Sequence, residues 1–151
     1  MSEHEAKAAV DGRERVGLHF LSVAYQVREK VDQRMTAAGL SLSRTKVLQL
    51  LARRGALHQA ELAEALGQAP RSVTQTVEAL ERDGFITRAS DTEDRRRKTV
   101  SLTATGQAAL ATAEQAGEQI LQQLFGSLDI HQLARLERLL DLVNDAATGA
   151  T

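Results

Sequence analysis

Apolar residues recur every three or four positions along most of the sequence, and this repeat is interrupted once. Between Phe85 and Leu102 it gives way to two short β-prone runs, 85–90 and 99–102, which flank a polar tract at 91–98. A repeat of three or four is typical of amphipathic helices, whereas two β-prone runs around a polar tract predict a hairpin with a long charged tip. The sequence therefore predicts a mainly α fold with a small β-hairpin.

Six helices are predicted around the hairpin, because one proline and ten glycines leave long stretches uninterrupted. They are expected at residues 13–38, from Ser41 or Ser43 to 52, and at 59–66, 70–83, 104–125 and 129–146. Pro70 suits the first turn of its helix, and Thr103 is a favourable cap for the fifth helix. The segment 56–58 is expected to be a plain connector, and the ends, 1–11 and 146–151, are expected to fray.

The predicted first helix carries apolar residues on two sides. One side contains Val16, Phe20, Val23, Val27 and Val31, and the opposite side contains Leu18, Leu21 and Tyr25. A helix that is apolar on two sides is usually packed between partners. The second partner is either another subunit or, in the alternative, the rest of a monomeric core around a central helix.

The composition argues against several classes of protein. Without cysteine the chain has no disulfide, no thiolate nucleophile and no cysteine-based zinc site, which agrees with a cytoplasmic location. No segment approaches the ~20 apolar residues of a membrane span, and the first thirty residues lack the apolar core of a signal peptide. Aromatic residues make up 3% of the chain, too few for a platform that stacks single-stranded nucleic acid.

The sequence also lacks the patterns of an enzyme. Its four histidines are scattered without metal-ligand spacing: His4, His19, His58 and His131. Neither the GxxxxGK phosphate loop nor a GxGxxG pattern after a strand is present, and these are the glycine-rich patterns that bind nucleotide phosphates. We therefore expect no catalytic residue, no metal and no cofactor.

The net charge of −1 argues, taken alone, against nucleic acid as a partner. This average hides an uneven distribution. Residues 44–98 contain eleven Lys/Arg against eight Asp/Glu, a net charge of +3, while the rest of the chain contains eight against twelve, a net charge of −4. A basic middle between acidic ends is compatible with binding to double-stranded DNA.

Two of the predicted helices, 59–66 and 70–83, are separated by only three residues, 67–69. This is the length of turn used in helix-turn-helix units, whose second helix enters the major groove of DNA. The side of that helix opposite its apolar residues begins with four side chains able to bind bases or phosphates: Arg71, Ser72, Thr74 and Gln75. A polar face alone is more typical of a solvated helix, so the interpretation depends on the hairpin that follows.

The hairpin tip contains four consecutive cations, Arg95, Arg96, Arg97 and Lys98. Such residues repel one another and gain nothing from folding, so their natural use is contact with phosphates or insertion into a minor groove. The acidic residues just before them can orient the guanidinium groups. The alternative is a solvated loop with weak local ion pairs.

Two stretches resemble the winged helix-turn-helix of the MarR family. The first is ELAEALG at 61–67 followed by SVTQTVEALERDGFI at 72–86, and the second is DRRRKTVSLTATG at 94–106. The D-x-R element with the later L-T-x-x-G is fairly specific, whereas ELAxxLG is shared by many bacterial repressors. The resemblance implies a mainly α fold with a small two- to three-stranded β wing. It joins a winged helix-turn-helix domain to a helical dimerisation region formed by the N- and C-terminal helices.

By this resemblance the chain is a homodimeric transcription factor of bacteria or archaea, of a kind that commonly represses its own or neighbouring genes. Residues 12–40 would form the N-terminal dimerisation helix, 41–104 the DNA-binding domain and 105–147 the C-terminal dimerisation helices. Each subunit would place a recognition helix, 70–83, in the major groove of one half-site of a pseudo-palindrome. The half-sites would lie about one duplex turn, ~10 bp, apart. The wing, 90–98, would enter the minor groove.

The resemblance also implies roles for single residues. Arg96 matches the wing-tip arginine that enters the minor groove, and Asp94 matches the acid that positions it. Ala69 and Pro70 replace polar residues that are often found at the start of the recognition helix, and His58 stands where a threonine is usual before the third helix. The chain lacks the cysteine with which some branches sense peroxide or electrophiles, so that mechanism is not expected here.

Family members commonly release DNA when a small, often phenolic or aromatic, ligand binds between the dimerisation and DNA-binding regions. The candidate residues here could bind an aromatic carboxylate or phenolate: His19, Tyr25, Arg28 and Arg44. Alternatively, His19 and Tyr25 are interface or core residues. A competing function is a winged-helix module that binds protein without sequence-specific DNA binding, although it does not account for the cations of the tip.

Overall fold

The computed structural model describes residues 1–149, which form six helices and three short strands. The helices are α1 (Glu3–Ala37), α2 (Leu42–Arg54), α3 (Gln59–Leu66), α4 (Pro70–Arg82), α5 (Ala104–Leu124) and α6 (Ile130–Gly149). The strands are β1 (Leu57–His58), β2 (Ile86–Ser90) and β3 (Lys98–Leu102). The prediction of a mainly α fold with a small β wing is confirmed.

The three strands form one antiparallel sheet in the order β1-β3-β2. β2 and β3 are the predicted hairpin, and they pair in register over all five residues of each strand. β1 pairs with the other edge of β3, where His58 lies opposite Thr99. The expectation of a plain connector at 56–58 is therefore wrong. A two-residue strand is too short to show an alternating pattern, and it forms because β3 offers an open edge.

The hydrophobic core lies in the middle of the chain, where α2, α3 and α4 pack with the sheet. Its largest fully buried side chains belong to these elements and to the segment before α2: Leu40, Leu48, Leu62, Leu80 and Ile86. The end of α1 and the first half of α5 complete the core with Met35, Leu110 and Ala113. Full burial of each large side chain contributes roughly 1.5–3 kcal/mol, so the elements that carry the predicted DNA contacts are firmly anchored.

A glycine and a proline set the turn between α3 and α4. Gly67 ends α3 with a φ of +62°, in the left-handed region that favours glycine, and Pro70 occupies the first turn of α4. In α4 the side chains of Val73, Val77 and Leu80 are fully buried, as their spacing predicts. The opposite face of α4 is therefore left at the surface.

Hydroxyl caps start α2 and α5. Ser41, rather than Ser43, caps α2, because its Oγ accepts a hydrogen bond from the Arg44 N–H at 3.3 Å. Thr103 caps α5 as predicted, and its Oγ1 accepts from the Gly106 N–H at 2.9 Å. Each cap satisfies an N–H group that has no partner within its own helix.

α1 begins at Glu3, so the expectation of a frayed N-terminal segment is wrong for residues 3–11. Ser2 and Glu5 cap the helix reciprocally. The Ser2 N–H donates to Glu5 Oε2 at 2.8 Å, and the Glu5 N–H donates to Ser2 Oγ at 3.3 Å. This Ser-x-x-Glu pattern is present in the sequence and is enough to start the helix ahead of its apolar repeat.

α6 begins after a similar reciprocal cap. The Gln132 N–H donates to Asp129 Oδ1 at 2.9 Å, and the Asp129 N–H donates to Gln132 Oε1 at 3.0 Å. The helix continues to Gly149, so fraying from residue 146 is also wrong as far as the structure describes the chain. Residues 150–151 lie outside the described part.

The long terminal helices expose apolar side chains along much of their length. None of the side chains described on α6 is buried, and α1 leaves Leu21 and Tyr25 about 60% exposed. An open apolar groove of about 740 Å³ lies between α1 and α6. Its apolar lining comes from both helices: Val16, Phe20, Leu136, Leu139, Leu140 and Val143. Even so, none of the helices within residues 1–149 combines the length and apolar character needed to cross a membrane.

Candidate nucleic-acid interface

The start of α4 presents three exposed polar side chains, those of Arg71, Ser72 and Gln75. Val73 lies between them in the sequence and Val77 follows two residues after Gln75, but both point into the core, which fixes the rotation of the helix about its axis. The guanidinium, hydroxyl and amide groups are therefore held on the outer face. Groups of these three kinds can read base edges or bind phosphates.

Thr74, the fourth predicted contact on α4, is half-buried and already engaged. Its Oγ1 donates to the Pro70 carbonyl at 2.9 Å and accepts from Gln59 Nε2 at 2.6 Å. The hydroxyl therefore joins the first residue of α3 to the first turn of α4. Toward DNA it offers its methyl group or its remaining lone pair, but no free hydrogen.

Backbone N–H groups at the start of α4 are suited to an anion. Ala69 occupies the N-cap position and has no side-chain oxygen to accept from them. The first N–H bonded within the helix is that of Val73, which donates to the Ala69 carbonyl at 3.2 Å. The N–H groups of Arg71 and Ser72 precede it. A helix start of this kind favours a phosphate nearby.

The wing tip is held by hydrogen bonds within itself. The Asp91 N–H donates to the Arg97 carbonyl at 2.9 Å, and the Arg97 N–H donates to the Asp94 carbonyl at 3.0 Å. Asp94 Oδ1 also accepts from the Arg96 N–H at 3.0 Å. Asp94 therefore fixes the backbone of Arg96.

The cations of the tip differ in how freely their side chains extend. The Arg96 side chain is 96% exposed, and its Nε lies 3.8 Å from Asp94 Oδ1. An ion pair so open to solvent contributes little to stability. The two neighbouring arginines are also exposed, whereas Lys98 Nζ donates to Ser90 Oγ at 2.9 Å across the hairpin. The arginines are therefore the extended cations of the tip.

The wing and the start of α4 border the same surface. Arg96 and Lys98 line a cleft of about 470 Å³ whose opposite side includes Gln68 and Pro70. A second cleft, of about 500 Å³, lies between Arg96 and His58. Cations and a helix N-terminus are therefore side by side, an arrangement suited to the closely spaced phosphates of a duplex.

An ion pair without a signal in the sequence links α4 to the wing. Arg88 on β2 donates through Nη2 and Nε to Glu81 on α4, at 3.0 and 3.3 Å. These hydrogen bonds hold the pKa of the Glu81 carboxyl below its usual range, and they raise the pKa of Arg88. The two residues lie on different elements, so no helical or strand repeat could have identified the pair.

The four residues considered for an effector do not share a pocket within the described protomer. Arg44 pairs with Asp83 at the end of α4, with Nη1 and Oδ2 3.3 Å apart. Arg28 borders a small cleft of about 140 Å³ near the start of α2. His19 and Tyr25 are exposed on α1, and His19 lies nine residues before Arg28, on the opposite side of the helix. An effector site at these residues stays a prediction.

A short helix pair with a three-residue turn, followed by a wing of antiparallel strands, defines a winged helix-turn-helix domain. The model of the MarR family matches residues 40–98. Over 114 residues the chain is 31% identical to the HTH-type transcriptional repressor YetL of Bacillus subtilis (strain 168). The alignment covers 73% of this chain and 68% of that protein. The chain belongs to the MarR family and is a transcriptional regulator.

Two solved structures share this fold over most of the chain. One is Bordetella bronchiseptica BpsR, 28% identical, with a TM-score of 0.70 over 87% of this chain and 99% of that one. It is described in terms of the regulation of its DNA binding by 6-hydroxynicotinic acid. The other is a mutant MarR from E. coli complexed with operator DNA, 23% identical, with a TM-score of 0.71 over 85% and 93% of the two chains. The predicted family and fold are thus confirmed.

Proposed function

We propose that the chain is a homodimeric repressor that binds a pseudo-palindromic operator in double-stranded DNA. The recognition helix, 70–83, lies in the major groove and the wing, 90–98, in the adjacent minor groove. This proposal rests on the cleft shared by Pro70, Arg96 and Lys98, which brings exposed cations beside the exposed start of α4. YetL, which is named a repressor, and the similar fold complexed with operator DNA support the same function.

The proposed contacts divide into those that read sequence and those that position the protein. On α4 the base or phosphate contacts are Arg71, Ser72 and Gln75, with Thr74 as an acceptor or through its methyl group. In the wing Arg96 enters the minor groove from a backbone fixed by Asp94. The remaining cations of the wing contact phosphates: Arg95, Arg97 and Lys98.

Selection of bound duplexes from a random-sequence library tests the proposal directly. A repressor of this kind enriches a pseudo-palindrome with half-sites about 10 bp apart. Recovery of duplexes without a shared motif would support the competing function, a winged-helix module that binds protein. The exposed apolar faces of α1 and α6 are what favour that alternative.

Two variants, tested on the selected duplex, distinguish contacts that recognise the base sequence from contacts that only position the protein on DNA. Gln75→Ala is expected to weaken binding by about 1–3 kcal/mol and to relax selectivity at one position of each half-site. Arg96→Ala is expected to weaken binding to all sequences and to reduce the salt slope by about one unit per subunit. Arg138→Ala, an exposed arginine on α6, is the matched control and should bind as the wild type does. Unchanged binding by Arg96→Ala at every salt concentration would refute the wing assignment.

The proposed dimer is formed by the terminal helices. α6 buries none of its described side chains within one protomer, and the groove beside it is apolar. A second copy of the chain would cover this surface, and a stable interface of about 1,200–2,000 Å² is within reach of two helices of this length. Residues 12–40 and 105–147 then serve dimerisation and 41–104 serves DNA binding. A folded monomer at micromolar concentration in sedimentation experiments would contradict this assignment.

We also propose release of DNA by a small aromatic anion, with the protein acting in the cytoplasm and on the nucleoid. The description of BpsR, which names 6-hydroxynicotinic acid, supports a ligand of this chemistry. Arg44 is the candidate for its carboxylate, because the pair with Asp83 is partly open to solvent and can exchange. His19, Tyr25 and Arg28 are the other candidates. Titration of the protein–duplex complex with hydroxylated aromatic acids tests the idea, and Arg44→Ala should abolish any response.

A further inference from the structure

His58 connects the helix pair to the wing through its side chain. It lies on β1, immediately before α3, and its imidazole is about one-third exposed. Nδ1 is 3.3 Å from Thr99 Oγ1 on β3, and Nε2 is 3.7 Å from Asp91 Oδ2 at the base of the tip. Both ring nitrogens therefore face groups that belong to the wing.

Asp91 transmits this contact to the tip. Its Oδ1 accepts from the Glu93 N–H at 3.1 Å, and its own N–H donates to the Arg97 carbonyl at 2.9 Å. The Arg97 N–H in turn bonds to Asp94, which fixes the backbone of Arg96. Hydrogen bonds of Asp91, Arg97 and Asp94 thus connect the carboxylate that faces His58 to Arg96, the arginine proposed for the minor groove.

The distance between His58 and Asp91 makes the charge of the imidazole important. At 3.7 Å the two groups are too far apart for a good hydrogen bond, so a neutral ring gains little from Asp91. A protonated ring is attracted to the carboxylate across the same distance, and it can also donate to Thr99 Oγ1 through Nδ1. An imidazole changes charge near neutral pH, so the contact is expected to tighten in mild acid.

We propose that His58 is a positioning residue for the wing, which in its protonated form holds Asp91 and thereby orders the Arg96 tip for DNA. The inference rests on the proposed function, because it assumes that the wing contacts DNA. Affinity for the selected duplex is then expected to be higher at pH 5.5 than at pH 8. A tip that is already held in place loses less conformational entropy when it binds DNA, which raises the affinity.

Four charged groups face His58 from the elements around it. Asp91 and Glu61 favour the protonated ring, and the Glu61 side chain also accepts from the His58 backbone N–H at 3.0 Å. Arg96 and Arg97 border the same cleft and oppose protonation. DNA phosphates at the wing would neutralise these two arginines, so binding of DNA and protonation of His58 favour each other.

The test is the affinity of the selected duplex, measured by fluorescence anisotropy between pH 5.5 and pH 8 at constant salt. For the wild type we expect about two- to fivefold tighter binding at the acid end, the range of a partly exposed ion pair. His58→Gln keeps a hydrogen-bonding side chain without the charge, and its profile should be flat over this range. Asp91→Asn keeps the histidine but removes its partner, and its profile should also be flat.

The possible results distinguish the positioning role of His58 from the proposed DNA binding itself. A flat wild-type profile, or a slope that persists in His58→Gln, overturns the role of His58 while leaving the proposed DNA binding intact. A slope that persists in Asp91→Asn shows that His58 acts only as an added charge near phosphate, and it also overturns the positioning role. If the chain binds no duplex at any pH, the proposed function fails, and this inference fails with it.

Discussion

Replacing Thr74 with valine removes the hydroxyl that joins α3 to α4 while nearly preserving side-chain volume. The hydroxyl accepts from Gln59 Nε2 at 2.6 Å and donates to the Pro70 carbonyl at 2.9 Å. In Thr74→Val the amide nitrogen of Gln59 loses this acceptor. The amide oxygen of the same side chain is already buried without a hydrogen-bond partner among the described residues. The substitution would therefore leave both ends of a half-buried amide unsatisfied.

The two lost bonds are not equivalent. The bond to Pro70 returns to a carbonyl four residues earlier in the same helix, and its loss is nearly neutral. Loss of the bond from Gln59 costs about 0.5–1.5 kcal/mol, and the desolvated donor that remains adds to this cost. We expect the free energy of unfolding to fall by about 1–2 kcal/mol.

Thr76→Val is the matched control on the same helix. The Thr76 hydroxyl donates to the Ser72 carbonyl at 3.1 Å, so its loss removes a local bond of the neutral kind. The change in unfolding free energy should stay within about 0.5 kcal/mol. Urea unfolding followed by circular dichroism, at one fixed protomer concentration, provides the comparison.

Equal losses for the Thr74 and Thr76 variants would refute the reasoning. A further check is the double variant Gln59→Leu/Thr74→Val, which replaces both partners with apolar groups. Such a replacement is expected to recover part of the stability lost in Thr74→Val alone. Additive losses in this cycle would mean that the two side chains do not interact.

Three further predictions concern other parts of the molecule. Gly106→Ala should lower the free energy of unfolding by about 1–3 kcal/mol in urea, because the added Cβ would overlap the Phe85 carbonyl oxygen and lie 2.9 Å from Leu102 Cδ1. Glu81→Gln should be less stable than the wild type at pH 7, because hydrogen bonds from Arg88 hold the pKa of Glu81 below its usual value. A lowered carboxyl pKa stabilises the fold above the unfolded-state pKa. The difference should therefore vanish in thermal melts as the pH falls through the lowered pKa of Glu81, and its persistence at still lower pH would contradict the assignment. Leu139→Glu, in the apolar groove, should convert the proposed dimer into monomer in sedimentation experiments, whereas Arg138→Glu on the polar side should not.

The parts of the fold with local signals could be predicted from sequence. α3 occupies the predicted residues, and the predicted α4 differs by a single terminal residue. Gly67 marks the end of α3 and Pro70 marks the start of α4, and each stands beside a repeat of apolar residues. The hairpin could also be predicted, because the change of period from helix to strand is visible within a few residues. The family motifs of the wing fall in the same region, which is why the family could be recognised.

What the sequence missed depends on contacts between distant residues. β1 is too short for a pattern of its own and exists because β3 pairs with it. The Glu81–Arg88 and His58–Asp91 pairs join different elements, so no repeat along the chain reveals them. Thr74 could be assigned to the correct region of α4, but its engagement with Gln59 depends on how two helices pack. The early start of α1 is a different case. The Ser2–Glu5 capping pattern is visible in the sequence, but the polar composition of residues 1–11 favoured the prediction of a frayed end.

β1 is only two residues long, yet it connects the helix pair to the wing. It pairs with β3 on one side and leads directly into α3 on the other, while the Glu81–Arg88 pair attaches α4 to β2. These contacts couple a tilt of the wing to a movement of the helix pair. In the proposed function each subunit would therefore present its recognition helix and wing to DNA at one fixed angle. In the proposed dimer the sparsely buried terminal helices set the distance between the two DNA-binding domains, so a change in that distance would control binding separately from the order of the Arg96 tip.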